Sequence, residues 1–199
     1  MTVNNIKKKK IAITGGIASG KSTVSAIISE LGFRVYSADK IYAELLKERE
    51  VVLKCSDILG IKPLIVDGNP VFDRKTASAV VFENEEKRKA LNEYTHELIY
   101  KRIDEIYSNE NGVTFFEIPL LFESGRQDLF DDVIVVLRDK RKRVESVCKR
   151  DKKDKDSVLK IMSAQFDYDN FDSSAYTVIY NDKDKATLAE RVKSYFKNI

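Results

Sequence analysis

Short apolar runs alternate along this chain with longer stretches in which apolar positions return every three or four residues, the pattern of buried strands covered by helices. Residues 11–14, 34–36, 113–118, 132–137 and 176–180 read as strands. The runs at 113–118 and 132–137 are continuous and mainly apolar or aromatic rather than alternating, with Glu117 near the tip of the first, which predicts interior parallel strands. Helical spacing puts Val24, Ile27, Ile28 and Leu31 on one face of a helix over 22–31, with Gly32 as the residue that stops it. A helix over 157–166 and a last one from Asp184, carrying Leu188, Ala189, Val192, Tyr195 and Phe196, close the chain.

Between 41 and 107 the period is helical, broken by Gly60, Pro63 and the turn Asp67-Gly68-Asn69-Pro70. Asp73-Arg74 open a helix carrying Val80, Val81 and Phe82, and Leu91, His96, Ile99, Ile103 and Ile106 mark another. Strands alternating with helices predict an α/β fold, a five-stranded parallel sheet under flanking helices with a helical insertion.

Composition narrows the class. A chain of 199 residues with 43% hydrophobic content can bury one sizeable core. Cys55 and Cys148 stand far apart without a CxxC spacing or a histidine cluster, so two reduced thiols in a cytoplasmic protein are expected rather than a disulfide or zinc site. Behind the basic residues Lys7 to Lys10 there is no hydrophobic signal core, and no stretch is long enough to span a bilayer. The lysine run reads as a solvated lead-in to the first strand. A formal net charge of +3 is too balanced to argue for nucleic acid.

The chemistry is concentrated in Ile11 to Val24, IAITGGIASGKSTV. The spacing from Gly15 to Gly20-Lys21-Ser22 is that of a P-loop: glycines turn the backbone so that amides face a polyphosphate at the positive end of a helix. Lys21 then reaches the β/γ-phosphates and the Ser22 hydroxyl ligates Mg²⁺. Asp39 follows the strand at 34–36 and is expected at the sheet edge where ligands bind, as a functional carboxylate or as a helix N-cap. The only histidine, His96, excludes a catalytic histidine network. The basic stretch 138–156, with few large apolar residues, reads either as a solvated helix or as a lid whose guanidinium groups close on phosphates.

TGGIASGKST, Ser37-Ala38-Asp39, Asp73-Arg74, LNEYTHELI from Leu91, IPLLFE from Ile118, KRD from Lys149, Gln165 and Asn181 together resemble dephospho-CoA kinase over nearly the whole chain. The resemblance implies a P-loop kinase fold whose core comprises 1–40, 108–137 and 171–199, with a helical substrate subdomain at 41–107 and a lid at 138–170. It implies transfer of phosphate from ATP, with Mg²⁺, to the ribose 3′-hydroxyl of dephospho-CoA. Gly15, Gly16, Ile17, Ala18, Ser19, Gly20, Lys21, Ser22 and Thr23 would form the phosphate cradle, with Ser22 on the metal. Asp39 would be the general base, Lys21 and Arg150 the catalytic cations, and Arg150 and Asn181 the adenine contacts. Arg74, His96, Leu120, Leu121 and Glu123 would join Asp39 in holding the acceptor. A cytoplasmic monomer or weak homo-oligomer without nucleic-acid or membrane partners is expected.

Four positions depart from the family pattern. Ala18 replaces a usual glycine, tolerable if its φ is negative. Ser37 replaces a common aspartate, Glu97 a proline, and Ser146 a frequent arginine, so lid charge falls to Arg143, Lys149 or Arg150. Two other readings of the residues stay open: a nucleoside-monophosphate kinase, and a nucleotide-gated switch or nucleic-acid-binding ATPase motivated by the basic stretch.

Overall fold

The computed structural model describes residues 7–197, which fall into two compact units. The first, built from 7–37 and 110–197, holds five parallel strands in spatial order β2-β5-β1-β6-β7. These are β1 (Lys9–Thr14), β2 (Arg34–Ser37), β5 (Val113–Glu117), β6 (Asp132–Leu137) and β7 (Thr177–Tyr180). The two apolar runs flank β1 directly: Ile11 lies in register with Phe115 on one side and Asp132 on the other. Helices cover central strands only where both faces are apolar, which is why the middles of β1, β5 and β6, Ile11–Ile13, Phe115–Phe116 and Val133–Val136, are apolar while their polar residues lie mostly toward the strand ends.

One face of this sheet packs Ile11, Ile13, Phe115, Ile134 and Val136 against α1 (Lys21–Glu30) and α8 (Lys185–Phe196), which contribute Val24, Ile27, Ile28, Leu188 and Val192. Phe33 stacks on Phe196 at 4.4 Å and meets Phe115 edge-on at 5.7 Å, closing the sheet's side. Helix ends follow from their sequences. Asp184 caps α8 by accepting the Thr187 N–H, and Gly32, at φ +92°, ends α1 as expected.

Two expectations need correction in this unit. Lys9 and Lys10 are not a solvated lead-in but the start of β1, where Lys10 is only 9% exposed. Its N–H donates to Asp131 and its ammonium lies 5.1 Å from the Phe130 ring centre, so the strand starts by pairing its charge. The basic segment also carries its own apolar seam. Helices α6 (Lys140–Asp151) and α7 (Lys155–Ser163, shorter than the expected 157–166) bury Val144, Val147, Val158 and Met162 together. Four apolar positions at helical spacing sufficed, and the lysines and arginines between them hid the pattern.

The second unit is Ala38–Asn109. It contains α2 (Ala38–Leu45), α3 (Arg49–Leu59), α4 (Arg74–Glu83) and the 25-residue α5 (Glu85–Asn109), with the expected break after Leu59 at Gly60. It is not wholly helical. Strands β3 (Leu64–Val66) and β4 (Asn69–Val71) pair antiparallel about Asp67-Gly68, both at positive φ, the geometry that two-residue hairpin turns favour. Phe82, placed on α4 as expected, is 90% exposed.

Candidate active site

The turn between β1 and α1 is a tight phosphate loop whose glycines have steric reasons. Gly15 adopts φ +146° and Gly20 φ +101°, regions that side chains avoid. A Cβ at Gly20 would also sit 3.3 Å from the Asn181 Cγ and closer still to its amide nitrogen. Ala18 has φ +57°, so the condition under which it was expected to be tolerable fails: a left-handed alanine costs about 1–2 kcal/mol, which surrounding contacts must offset.

Those contacts come from distant segments. Gln165 accepts the Ile17 N–H at 2.9 Å, Arg138 donates to the Ala18 carbonyl at 3.2 Å, and the Asn181 amide donates to the Ser19 carbonyl at 2.9 Å. Tyr168 shares a 3.3 Å hydrogen bond with Thr14 at the root of the loop; burial pushes its phenol up to about 12. Ile17 and Ala18 themselves pack against the α6–α7 seam. Lys21 donates to the carbonyls of Gly15 and Gly16 at 2.7 and 3.1 Å, folding back over the loop that it was expected to extend from.

A cavity of about 540 Å³ opens beside the loop, lined by Gly16, Ser19, Arg138, Arg143, Tyr168 and the Asp182 region. The Ser19 hydroxyl is buried, 1% exposed, and has no hydrogen-bond partner. Of the candidate lid cations, Arg143 is the one in this cavity: it is 5% exposed, pairs with Asp169 and donates through Nε to the Arg138 carbonyl. Arg150 is not brought to it. Its guanidinium makes a two-pronged pair with the adjacent Asp151 at 2.7 and 3.0 Å on the surface, a partner one residue away that spacing arguments overlook. Asn181, expected at adenine, holds the loop.

The IPLLFE segment follows β5. Leu120 is 41% exposed, whereas Leu121 is fully buried, so its side chain serves packing and cannot meet a ligand. Glu123 accepts the Phe166 N–H at 2.9 Å, tying this segment to the chain after α7. Phe122 completes the tie by packing among Phe166, Tyr168, Phe171 and Tyr176, with ring centres 4.7–5.8 Å away. Neither this aromatic cluster nor the roles of Arg138, Gln165 and Tyr168 on the loop were read from the sequence. Aromatic residues at 166, 168, 171 and 176 were the available signal.

In the second unit, Asp39 is exposed and is the second residue of α2. It therefore lies inside the first turn and not at the N-cap, which removes that alternative. Arg74 opens α4, whose cap is Asp73, accepting from Lys75 and Thr76. Burial raises the Tyr42 phenol while Arg74 opposes that shift, which puts the Arg74 charge near Tyr42. His96 is half-buried midway along α5. Cys55 is buried and its thiol is pushed up to about 11 by desolvation; both cysteines are free.

A magnesium polyphosphate fits what is present. The positive φ of Gly15 and Gly20 shapes the loop ahead of α1, the Ser19 hydroxyl lacks a hydrogen-bond partner among the described residues, and Ser22 is exposed at the first turn of α1. Among the described residues no group of three or more His, Cys, Asp or Glu side chains is placed to hold a metal ion. No helix among them is long and apolar enough to cross a membrane.

Comparison with known proteins bears on the whole chain. The family model for dephospho-CoA kinase matches residues 9–187. A dephospho-CoA kinase of Fusobacterium nucleatum is 36% identical over 192 residues, 95% of this chain and 97% of that protein. The solved dephospho-CoA kinase from Campylobacter jejuni superposes with a TM-score of 0.71 at 31% identity, covering 95% of this chain and 96% of that one. A Thermus thermophilus protein structure gives 0.81 at 28% identity, covering 96% and 97%.

Proposed function

We infer residue roles from the premise that this chain belongs to the dephospho-CoA kinase family. Its reaction is the ATP-dependent phosphorylation of dephospho-CoA to CoA, the last step of CoA biosynthesis, and its fold is that of P-loop kinases. The observation that carries this is extent: the match runs from the first residue of β1 into α8, through the phosphate loop, the helical unit and the α6–α7 pair.

Phosphoryl transfer to an alcohol asks the protein for positioning and charge rather than covalent chemistry. In the proposed mechanism the loop amides at the start of α1 hold the β- and γ-phosphates, and Lys21 exchanges the carbonyls of Gly15 and Gly16 for phosphate oxygens. Ser22 would hold Mg²⁺, which supplies neutralisation of phosphate charge. Asp39 accepts the proton of the acceptor hydroxyl. Support comes from its place two residues beyond Ser37, the last residue of β2, and from its exposure. Within the helical unit, Arg74 and His96 are the proposed acceptor contacts; within the sheet unit, the backbone around Leu120 and Glu123 is one. Leu121 acts only by fixing that backbone, and Arg143 takes over the cationic duty expected of Arg150. The α6–α7 pair serves as the lid.

The test is ADP formation with MgATP in the presence and absence of dephospho-CoA, with the product's new phosphate located on the ribose. Fast turnover only with dephospho-CoA, and a much lower kcat/KM for AMP, are expected because the remote part of the acceptor positions its hydroxyl. Equal kcat/KM for AMP moves the assignment to the nucleoside-monophosphate kinases. Hydrolysis indifferent to any acceptor favours a nucleotide-gated switch.

A further inference from the structure

Position 146, on the face of α6 beside the phosphate loop, is a serine, and the structure sets a guanidinium against it from the end of β6. Arg138, the first residue after β6, donates through Nη1 to the Ser146 hydroxyl at 3.0 Å and to the Ala18 carbonyl at 3.2 Å. One side chain thus ties the phosphate loop to α6.

Three features set this arginine apart from its neighbours. Its charge is uncompensated by a carboxylate: among the described residues both its partners are neutral oxygens, whereas Arg143 is paired with Asp169 and Arg150 with Asp151. Its donors are not exhausted. Of the five N–H groups of a guanidinium, the two on Nη1 face Ala18 and Ser146, which leaves those on Nη2 and Nε. Its backbone is held on every side. The carbonyl of Leu137 accepts from Asn181, the carbonyl of Arg138 accepts from Arg143, and the N–H of Asp139 donates to Asp182. A half-buried cation fixed in this way on the rim of the cavity and against the phosphate loop is built to meet an anion.

We propose that Arg138 is a nucleotide-binding residue of this chain, pairing with the polyphosphate of ATP from the end of β6, at a place that a guanidinium grafted at neighbouring position 146 would also reach. The proposal rests on the reading of the Gly15 to Ser22 loop as the cradle of ATP. It also explains how a left-handed Ala18 is retained. The guanidinium that serves the phosphates holds the Ala18 carbonyl in place as well.

The test is the binding of MgATP and of adenosine to the full chain without acceptor, together with thermal unfolding. Arg138→Gln keeps an amide that can donate to Ala18 and Ser146 but removes the charge. It is expected to raise the Kd for MgATP by about 10- to 100-fold, the worth of a hydrogen bond to a charged group, with adenosine affinity unchanged. Adding Ser146→Arg to Arg138→Gln is expected to recover at least about tenfold of that loss, since both positions address one place. Arg138→Lys, which keeps the charge, should bind MgATP more tightly than Arg138→Gln.

An unchanged MgATP Kd in Arg138→Gln overturns the proposal, as does an equal weakening of MgATP and adenosine, which would mean a collapsed loop rather than a lost phosphate partner. Failure of Ser146→Arg to recover binding overturns the claim that both positions address one place. Should Arg138→Gln not fold, Arg138→Lys decides alone: at least tenfold weaker MgATP binding despite an intact fold, with adenosine unaffected, supports a forked phosphate contact, and wild-type affinity refutes it. Absence of MgATP binding by the wild-type chain would instead refute the cradle reading and this proposal with it.

Discussion

Replacing Gly15 by alanine should be far more damaging than replacing its neighbour Gly16, although the two are adjacent in one loop. An ideal Cβ on Gly15 would lie 2.8 Å from the Ser19 hydroxyl and 3.2 Å from the carbonyl carbon of Val136, and closer to that carbonyl's oxygen. Val136 is fully buried in β6 and paired with Ile179 of β7, so the backbone it meets cannot yield without opening the sheet. Gly15 also sits at φ +146°, where a side chain is strained by about 1–3 kcal/mol. Overpacking against rigid atoms adds about 1–3 kcal/mol. Together they predict a loss of about 2–6 kcal/mol, or roughly 5–20 °C in Tm at the 2–4 °C per kcal/mol typical of this size. At Gly16 the Cβ would meet Arg143 Nη1 at 2.5 Å, the far end of a flexible side chain, and the φ there is not positive. Arg143 must shift and strain its pair with Asp169, but no sheet backbone has to move, so the expected cost is smaller than at Gly15. Thermal unfolding of both variants without nucleotide checks the order, and a Gly15→Ala chain that melts with the wild type refutes the reasoning.

Three further outcomes are expected. Lys21→Ala should lower kcat by about 10²–10³ with little change in Tm, because the ammonium lies over the loop carbonyls of Gly15 and Gly16 rather than in the core and acts on phosphate; near-normal turnover at saturating MgATP would discard that role. Asp39→Asn should lower kcat by at least about 10² while MgATP affinity and Tm hold, whereas a coupled loss of MgATP affinity and shifted metal dependence would put Asp39 on the metal side. At alkaline pH the fold should weaken. Burial raises Tyr168 from 10.0 to about 12, and burial with Asp132 raises Tyr195 in the same direction. Each phenol binds its proton more tightly folded than unfolded, so its contribution is complete below about pH 10 and lost as pH rises toward 12, at up to about 1.4 kcal/mol per pH unit per group. Urea titrations at pH 9 to 12 should show that slope, and Tyr168→Phe and Tyr195→Phe should each flatten it.

What the sequence made legible is what short-range pattern encodes. Mainly apolar runs gave β5 and β6 as interior strands, and Gly32 and Asp184 marked helix ends because their local backbone preferences are strong. The β3–β4 hairpin escaped because its strands have three residues each and expose Leu64, Ile65 and Val66, leaving no alternation to read. Lys10 escaped because nothing local says that a lysine will find Asp131 and Phe130. The loop's anchors escaped for a related reason. Gln165, Arg138 and Asn181 reach it across 148, 120 and 162 residues, and only the folded sheet brings the ends of β6 and β7 and the chain after α7 to one place. The conformation of Ala18 was beyond any propensity, since alanine alone prefers the opposite sign of φ.

The charges around the cavity argue for the magnesium complex of ATP over free ATP. Its lining holds Arg138, Lys140 and Arg143 against Asp139, Asp169 and Asp182, three formal cations against three formal anions. A triphosphate entering without a counter-cation would meet no net positive charge from these six groups and would have to draw Arg143 away from Asp169, exposing a carboxylate to phosphate. Arg138 stands outside that balance: among the described residues its hydrogen bonds go to neutral oxygens, whereas Lys140 and Arg143 both pair with Asp169. One such cation falls well short of the charge of a triphosphate, and a divalent ion held mainly by the phosphates would make up the difference without any acidic cage. The same arithmetic explains why the loss of Arg138 alone should be felt so strongly: it removes the one cation of the lining that no carboxylate holds.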